Sequence, residues 1–319
     1  MSDQADHGGG IDAAAARFGG ARGDWLDLST GINPDPYPVP PLPADAWTAL
    51  PDQAALDRLL RAARAFWQVP DAAEIVAAPG ASALIARMPA LCPAAAAIPG
   101  PTYNEHARAF RAAGLAVSED ASAPVRVVVH PNNPDGRLWP VTTAGESLTV
   151  IDESFCDTMP KASQIARAAE PGVVILKSFG KFWGLAGLRL GFAIGLRETL
   201  TGPSGHLRDL LGPWAVSGPA MTIGAVALQD RNWAATTRQN LAASAARLDG
   251  LASARGARLV GGTTLFRLYE VGSASSWQDH LARHRIWSRT FPWSGSLIRL
   301  GLPPDHGWNR LSTALEGLA

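Results

Sequence analysis

Two lysines stand four residues apart in Leu176-Lys177-Ser178-Phe179-Gly180-Lys181, and each could serve as an amine nucleophile. Lys181 follows the apolar run Val173 to Leu176, which reads as a buried strand, and is flanked by Phe182 and Trp183. Poor solvation disfavours an ammonium ion, so such a lysine has a lowered pKa and a neutral amine able to form a Schiff base. Lysine alone does not settle the choice between the two. Eight residues beyond Lys181 comes Arg189, inside Gly187-Leu188-Arg189-Leu190-Gly191-Phe192. A guanidinium there could clamp a phosphate through two parallel N–H bonds. Each residue alone reads more simply as a surface charge; their spacing after one strand favours chemistry.

Upstream strands end in comparable residues. Val125 to Val129 leads into His130-Pro131-Asn132-Asn133-Pro134-Asp135-Gly136, a turn type that fixes side chains rigidly. The run Leu148 to Ile151 ends at Asp152-Glu153-Ser154-Phe155. A carboxylate at the end of a buried strand needs a cationic partner, and a protonated pyridine nitrogen is one candidate. A helix N-cap is the plainer alternative for Asp152. Pro79-Gly80-Ala81-Ser82 joins a strand to a helix, where backbone N–H groups and the Ser82 hydroxyl could hold a phosphate.

The elements that must position these residues follow from hydrophobic pattern. Asp52 to Gln68 reads as a helix with Leu56, Leu59, Leu60 and Ala63 on one face. Apolar runs at Ile75 to Ala78, Ala95 to Ile98, Val125 to Val129, Leu148 to Ile151 and Val173 to Leu176 alternate with helical segments at Ala81 to Leu91 and Asn104 to Ala113. That alternation predicts an α/β fold, with a mostly parallel sheet covered on both faces and ligands beyond its carboxyl ends. Residues 1–45, with prolines at 34, 36, 38, 40, 41 and 43, predict an arm without regular helix or central strand. Residues 46–212 predict the large domain. Residues 213–319 predict a long helical stretch from Met221 to Ala254, broken near Asp230, and a smaller α+β domain. Its strands lie around Thr264–Leu268 and Ser296–Leu300, and its helices at Trp277–His284 and Trp308–Leu318.

Composition narrows the function classes. The 319 residues are 47% hydrophobic and 18% charged, against about 25% charged in average chains, so extended disorder is excluded. Lys and Arg number 28, as do Asp and Glu, and this balance argues against nucleic acid or an acidic membrane as partner. Cys92 and Cys156 have no paired spacing and no His/Cys cluster surrounds them, so no metal site is expected and a reducing cytoplasm fits. Neither a signal peptide nor a membrane span is read.

The ordered set Asn133, Asp152, Ser178, Lys181 and Arg189 resembles the pyridoxal-phosphate enzymes of the aspartate-aminotransferase fold, over nearly the whole chain. The resemblance implies pyridoxal 5'-phosphate as cofactor, a large domain and a smaller C-terminal one. It makes Lys181 the lysine bonded to the cofactor and pairs Asp152 with the pyridine nitrogen. Asn133 would bond the phenolate oxygen. Ser82, Ser178 and Arg189 would hold the phosphate beside the Gly80–Ala81 backbone, and Tyr103 would stack on the ring. Arg299, in Leu297-Ile298-Arg299-Leu300-Gly301, matches the arginine that grips a substrate α-carboxylate. Two positions depart from the family pattern: Phe155 replaces a tyrosine that bonds the cofactor oxygen, and Leu50 replaces one that reaches the neighbouring subunit's phosphate.

Within the family the chain is similar to the branch containing histidinol-phosphate aminotransferase and the threonine-phosphate decarboxylase of cobalamin biosynthesis. His7-Gly8-Gly9, the arm from Leu28 to Pro34 that includes Asn33, and Gly212-Pro213-Trp214-Ala215-Val216-Ser217 favour the decarboxylase. A phosphorylated amino-acid substrate would then meet His7, Asn33, Arg289 and Arg299, with His106 and Arg267 behind them. Three readings stand: a lyase on O-phospho-threonine, an aminotransferase, and a non-catalytic cofactor-binding module. The resemblance also implies a homodimer.

Overall fold

Four short runs of β-branched and small residues, buried on both faces, form the centre of the larger sheet. The computed structural model describes residues 8–119, 122–140 and 145–318. The chain divides into two units, Pro36–Asn133 with Arg137–Thr236, and Met1–Asp35 with Pro134–Gly136 and Thr237–Ala319. In the first unit the strands are β1 (Glu74–Ala78), β2 (Ala96–Ala97), β3 (Val117–Ser118), β4 (Val125–Val129), β5 (Leu148–Asp152), β6 (Val173–Ser178) and β7 (Gly191–Gly195). They lie in the order β1-β7-β6-β5-β4-β2-β3. Pairing is parallel except along β7, which runs antiparallel to both β1 and β6.

Register aligns the strand ends that carry the candidate residues. Val129 pairs with Asp152, Asp152 with Leu176, and Gly191 with both Ala78 and Ser178. One face packs Val127, Val150, Val174 and Leu176 against Leu84, Met88 and Phe110 from the helices above. The other lies under the helices Gln53–Trp67 and Gly218–Ala227, with the Trp67 ring 5.0 Å from that of Phe192. Strand alternation therefore turns Asp152 and Ser178 to the first face, and Glu153 and Lys177 to the second. Both covering helices are capped: Asp52 accepts from Ala55 N at 3.1 Å, and Ser217 accepts from Ala220 N at 3.3 Å.

In the second unit β8 (Arg258–Thr263), β9 (Phe266–Glu270), β10 (Arg289–Phe291) and β11 (Ser294–Gly301) form an antiparallel sheet in the order β8-β9-β11-β10. One face is bound to helices: Tyr269 and Arg267 reach Asp249 of Arg231–Ser253, and Thr290 reaches Gln278 of Ala274–Arg283. The arm is irregular from Asn33 to Pro43, as its prolines require. Before them it is not. Ile11–Phe18, rich in alanine, is helical and buries Ile11 and Ala14, while Leu26–Asp27 pairs with Ile286–Trp287. Among the described residues no helix is long and apolar enough to cross a membrane, and no cluster of His, Cys, Asp and Glu is placed to hold a metal.

Candidate active site

The two lysines have different surroundings. Lys177 is buried, with Nζ 2.6 Å from Glu153 Oε2 and 3.7 Å from Asp157 Oδ1. Burial alone would lower its pKa, but the Glu153 and Asp157 carboxylates outweigh that and hold it above the usual lysine range. It stays an ammonium ion and is a poor nucleophile. Lys181 lies half-buried in the turn after β6, its Nζ 5.4 Å from the centre of the Phe155 ring. That turn is rigid. Phe179 N donates to Leu190 O, Gly184 N to Lys181 O, and Gly180 N to Ser178 Oγ. Trp183 is buried, stacked on Phe179 at 4.8 Å and on Trp233 at 5.2 Å.

Asp152 ends β5 fully buried. His106 Nε2 donates to Oδ2 at 2.9 Å, and Ser154 donates to Oδ1 through both N (2.9 Å) and Oγ (2.5 Å). Burial would raise the carboxyl pKa, but the His106 and Ser154 hydrogen bonds outweigh it and hold it below the usual carboxylate range. The result is a fixed carboxylate, suited to a cationic ring nitrogen and not serving as a helix N-cap. His106 is accordingly spent on Asp152 and is no phosphate ligand. A histidine four residues before buried Phe110, on the apolar face of Asn104–Ala112, was the available signal.

The residues expected to cradle a phosphate meet where β7 starts. Gly80 has φ +89°, and a Cβ there would lie 2.6 Å from Arg189 Nη2. Gly191 is equally constrained, since its Cβ would fall 2.4 Å from Ala81 N. Two glycines thus bring the Gly80–Ala81–Ser82 turn, Arg189 and the end of β6 together. Arg189 is exposed and donates from Nη1 to Ala186 O at 3.2 Å. Tyr103 shares a side-chain hydrogen bond with Ser82, and burial, with the nearby Glu105 and Asp152 charges, pushes its pKa up to about 12. It remains a neutral phenol, ring edge toward His106 at 6.1 Å between ring centres. Asn133 is half-buried in the turn after β4. Its neighbour Asn132 clamps that turn, accepting from Thr102 Oγ1 at 2.6 Å and donating to Pro101 O at 3.0 Å.

The expected substrate residues fall in the second unit. Arg289 of β10 pairs directly with Arg299 of β11, so both side chains leave the sheet on the face opposite the helices. Arg299 is buried, donates from Nη2 to Ser29 O at 2.6 Å and lies 5.0 Å over the Phe266 ring. Asn33 is buried and its Oδ1 accepts from Asp35 N. Arg267 is not available behind them: it binds Asp249 through two N–H groups, at 3.0 and 2.8 Å. His7 lies outside the described residues.

The first unit's residues fit pyridoxal phosphate: an ionised carboxylate for a ring nitrogen, a half-buried lysine in the turn after the neighbouring strand, and a Cβ-free cradle with hydroxyl and guanidinium donors for a phosphate. Comparisons with known proteins agree. The aminotransferase class I and II family matches residues 118–315. A threonine-phosphate decarboxylase of Sinorhizobium sp is 41% identical over 99% of this chain and 98% of its own. One of Pseudomonas aeruginosa is 38% identical over 98% and 97%. Among solved structures, histidinol-phosphate aminotransferase from Sinorhizobium meliloti, in complex with pyridoxal-5'-phosphate, superposes with a TM-score of 0.78 at 19% identity, over 98% of this chain and 96% of that one. That last likeness is one of fold.

Proposed function

The chain belongs to the aminotransferase class I and II family, and we propose that within it this member decarboxylates L-threonine O-3-phosphate to aminopropanol phosphate, with pyridoxal 5'-phosphate, for cobalamin biosynthesis. One observation carries the choice of reaction: the end-to-end likeness, at 41% identity, to a protein named for that decarboxylation. The likeness to an aminotransferase structure, at 19%, extends to the fold alone.

Pyridoxal phosphate, when bound, supplies a ring that accepts the electrons left on Cα as a bond to it breaks. Asp152, kept ionised by His106 and Ser154, would hold the ring nitrogen protonated. Ser82, Ser178, Arg189 and the Gly80–Ala81 backbone would hold the phosphate, Asn133 the phenolate oxygen, and Tyr103 the ring face. Phe155, lacking a hydroxyl, leaves that oxygen to Asn133. Lys181 would bond the cofactor at rest and return a proton to Cα, or activate a water that does so. Arg299 would grip the substrate carboxylate, and Arg289, with His7 and Asn33, its phosphate. The Cα–carboxylate bond breaks, carbon dioxide leaves, and one proton takes its place, so no amino acceptor is consumed.

The proposed setting is the cytoplasm, which the two free thiols suit, and the proposed assembly a homodimer. Exposed Leu50, and exposed Trp214 at a cavity of about 320 Å³ lined also by Leu56, Leu60 and Met221, support a covered surface. Incubating the holoenzyme with phospho-threonine and no 2-oxo acid tests the reaction. Carbon dioxide should be released; a requirement for a 2-oxo acid, with an amino acid formed from it, would move the reading to an aminotransferase.

A further inference from the structure

Behind the site, on the reverse face of β5 and β6, lies a buried ion cluster that the proposed chemistry does not use. Glu153 directly follows Asp152 at the end of β5 and Lys177 precedes Ser178 on β6, so each charged residue adjoins a site residue at a strand end. The Lys177 and Glu153 side chains are 2% and 0% exposed, with Nζ and Oε2 2.6 Å apart. Glu153 also accepts from Ser163 Oγ at 2.6 Å and from Gln164 N at 2.5 Å. Asp157, 3.7 Å from Lys177 Nζ, accepts from Trp67 Nε1 at 2.8 Å and from Trp183 Nε1 at 3.0 Å. Trp183 is two residues past Lys181, so the cluster reaches both sides of the reactive turn.

Folding stability alone does not explain such a pair. Burying two charges costs as much as their attraction returns, and well-packed apolar replacements are often neutral or stabilising. A charge-assisted contact differs from apolar packing in having direction and a narrow range of length. It links the ends of two strands whose other faces carry Asp152 and the Ser178–Lys181 turn. We infer that Lys177 and Glu153 are positioning residues that fix the Asp152 carboxylate relative to the Lys181 turn, with Asp157 extending the hold to Trp183. This inference rests on the roles proposed for Asp152 and Lys181.

The test pairs Lys177→Met with Glu153→Gln, because removing one partner alone would leave a buried charge and endanger folding. The glutamine keeps an acceptor for Gln164 N and a donor for Ser163. Holoenzyme of this double variant should still melt cooperatively, because Asp157 keeps its Trp67 and Trp183 N–H donors. Its visible cofactor band should titrate at a displaced pH, and kcat should fall about 10- to 100-fold with KM little changed. Lys177→Arg, which keeps the charge and the reach, should restore the band. An unchanged band, pH midpoint and kcat in the double variant would overturn the inference, as would activity lost only in proportion to melting temperature. An unmodified protein showing no lysine-linked band with pyridoxal phosphate would overturn the Lys181 assignment itself, and this inference with it.

Discussion

An amine that attacks a carbonyl must lose its proton, and a lysine locked between carboxylates cannot. Lys177 is so locked, which is why Lys181 is the residue proposed to bond the cofactor. Lys181→Ala should abolish both the visible cofactor band and the label fixed by borohydride; a label that persists and disappears only in a Lys177 variant would reverse the assignment. The arginine pair poses a question of charge. Arg289 and Arg299 are Cα partners across β10 and β11, so both cationic side chains belong to one face of the sheet. Phospho-threonine brings two anionic groups, and each charge-assisted contact is worth roughly 1.5–3 kcal/mol, or about 10- to 150-fold in binding. Arg289→Ala should therefore weaken binding of phospho-threonine far more than of threonine, whereas Arg299→Ala should weaken both. Equal effects of Arg289→Ala on the two ligands, read by calorimetry, would remove its phosphate role. Asp152, Lys181 and Arg189 are readable as candidates because their types and spacing restrict the alternatives. The partners that fix the charges of Asp152 and Lys177, His106 and Glu153, are 46 and 24 residues away in sequence, where no local pattern reports the contact.

At the scale of elements the site depends on strand ends and on the glycines that let them meet. Gly80, at φ +89° and ψ 156°, occupies a backbone region open essentially to glycine, at a cost of order 1–3 kcal/mol for other residues. Gly80→Ala should lower stability by about that amount and also weaken pyridoxal phosphate, because the added Cβ displaces the Arg189 guanidinium. Fluorescence titration of the variant checks this; destabilisation with cofactor affinity intact would separate Gly80 from the phosphate cradle. The valine-rich runs of β4, β5 and β6 were readable because residues buried on both faces leave a continuous apolar signature. β6 runs two residues further than its apolar pattern, to Ser178, since Lys177 is neutralised by Glu153 and so can be buried. β7 escaped the pattern: glycines bound it at both ends, for close approach to Ala81 and to Val173 O. The Ile11–Phe18 helix departs from the expected irregular arm because the prolines begin only at residue 34 and break regular structure only near themselves.

At the scale of the whole molecule, the two units divide the proposed labour: cofactor residues belong to Pro36–Asn133 with Arg137–Thr236, and Arg289, Arg299 and Asn33 to the other. The large apolar side chains Trp47, Leu50 and Trp214 are more than half exposed on the first unit, a surface that two-fold pairing of identical chains would cover. Sedimentation should give twice the mass of one chain, and Trp47→Ser with Leu50→Ser should shift it toward one. An active monomer at assay concentration would defeat the dimer. The central claim is the reaction, and isotope placement tests it most directly. Phospho-threonine labelled with carbon-13 in its carboxylate is turned over by the holoenzyme in deuterium oxide. The expected result is one labelled carbon dioxide per aminopropanol phosphate, with one deuterium on the carbon that bore the carboxylate and no 2-oxo acid consumed. Carboxylate label retained in a 2-oxo acid product, with the amino group passed to an acceptor, would contradict it.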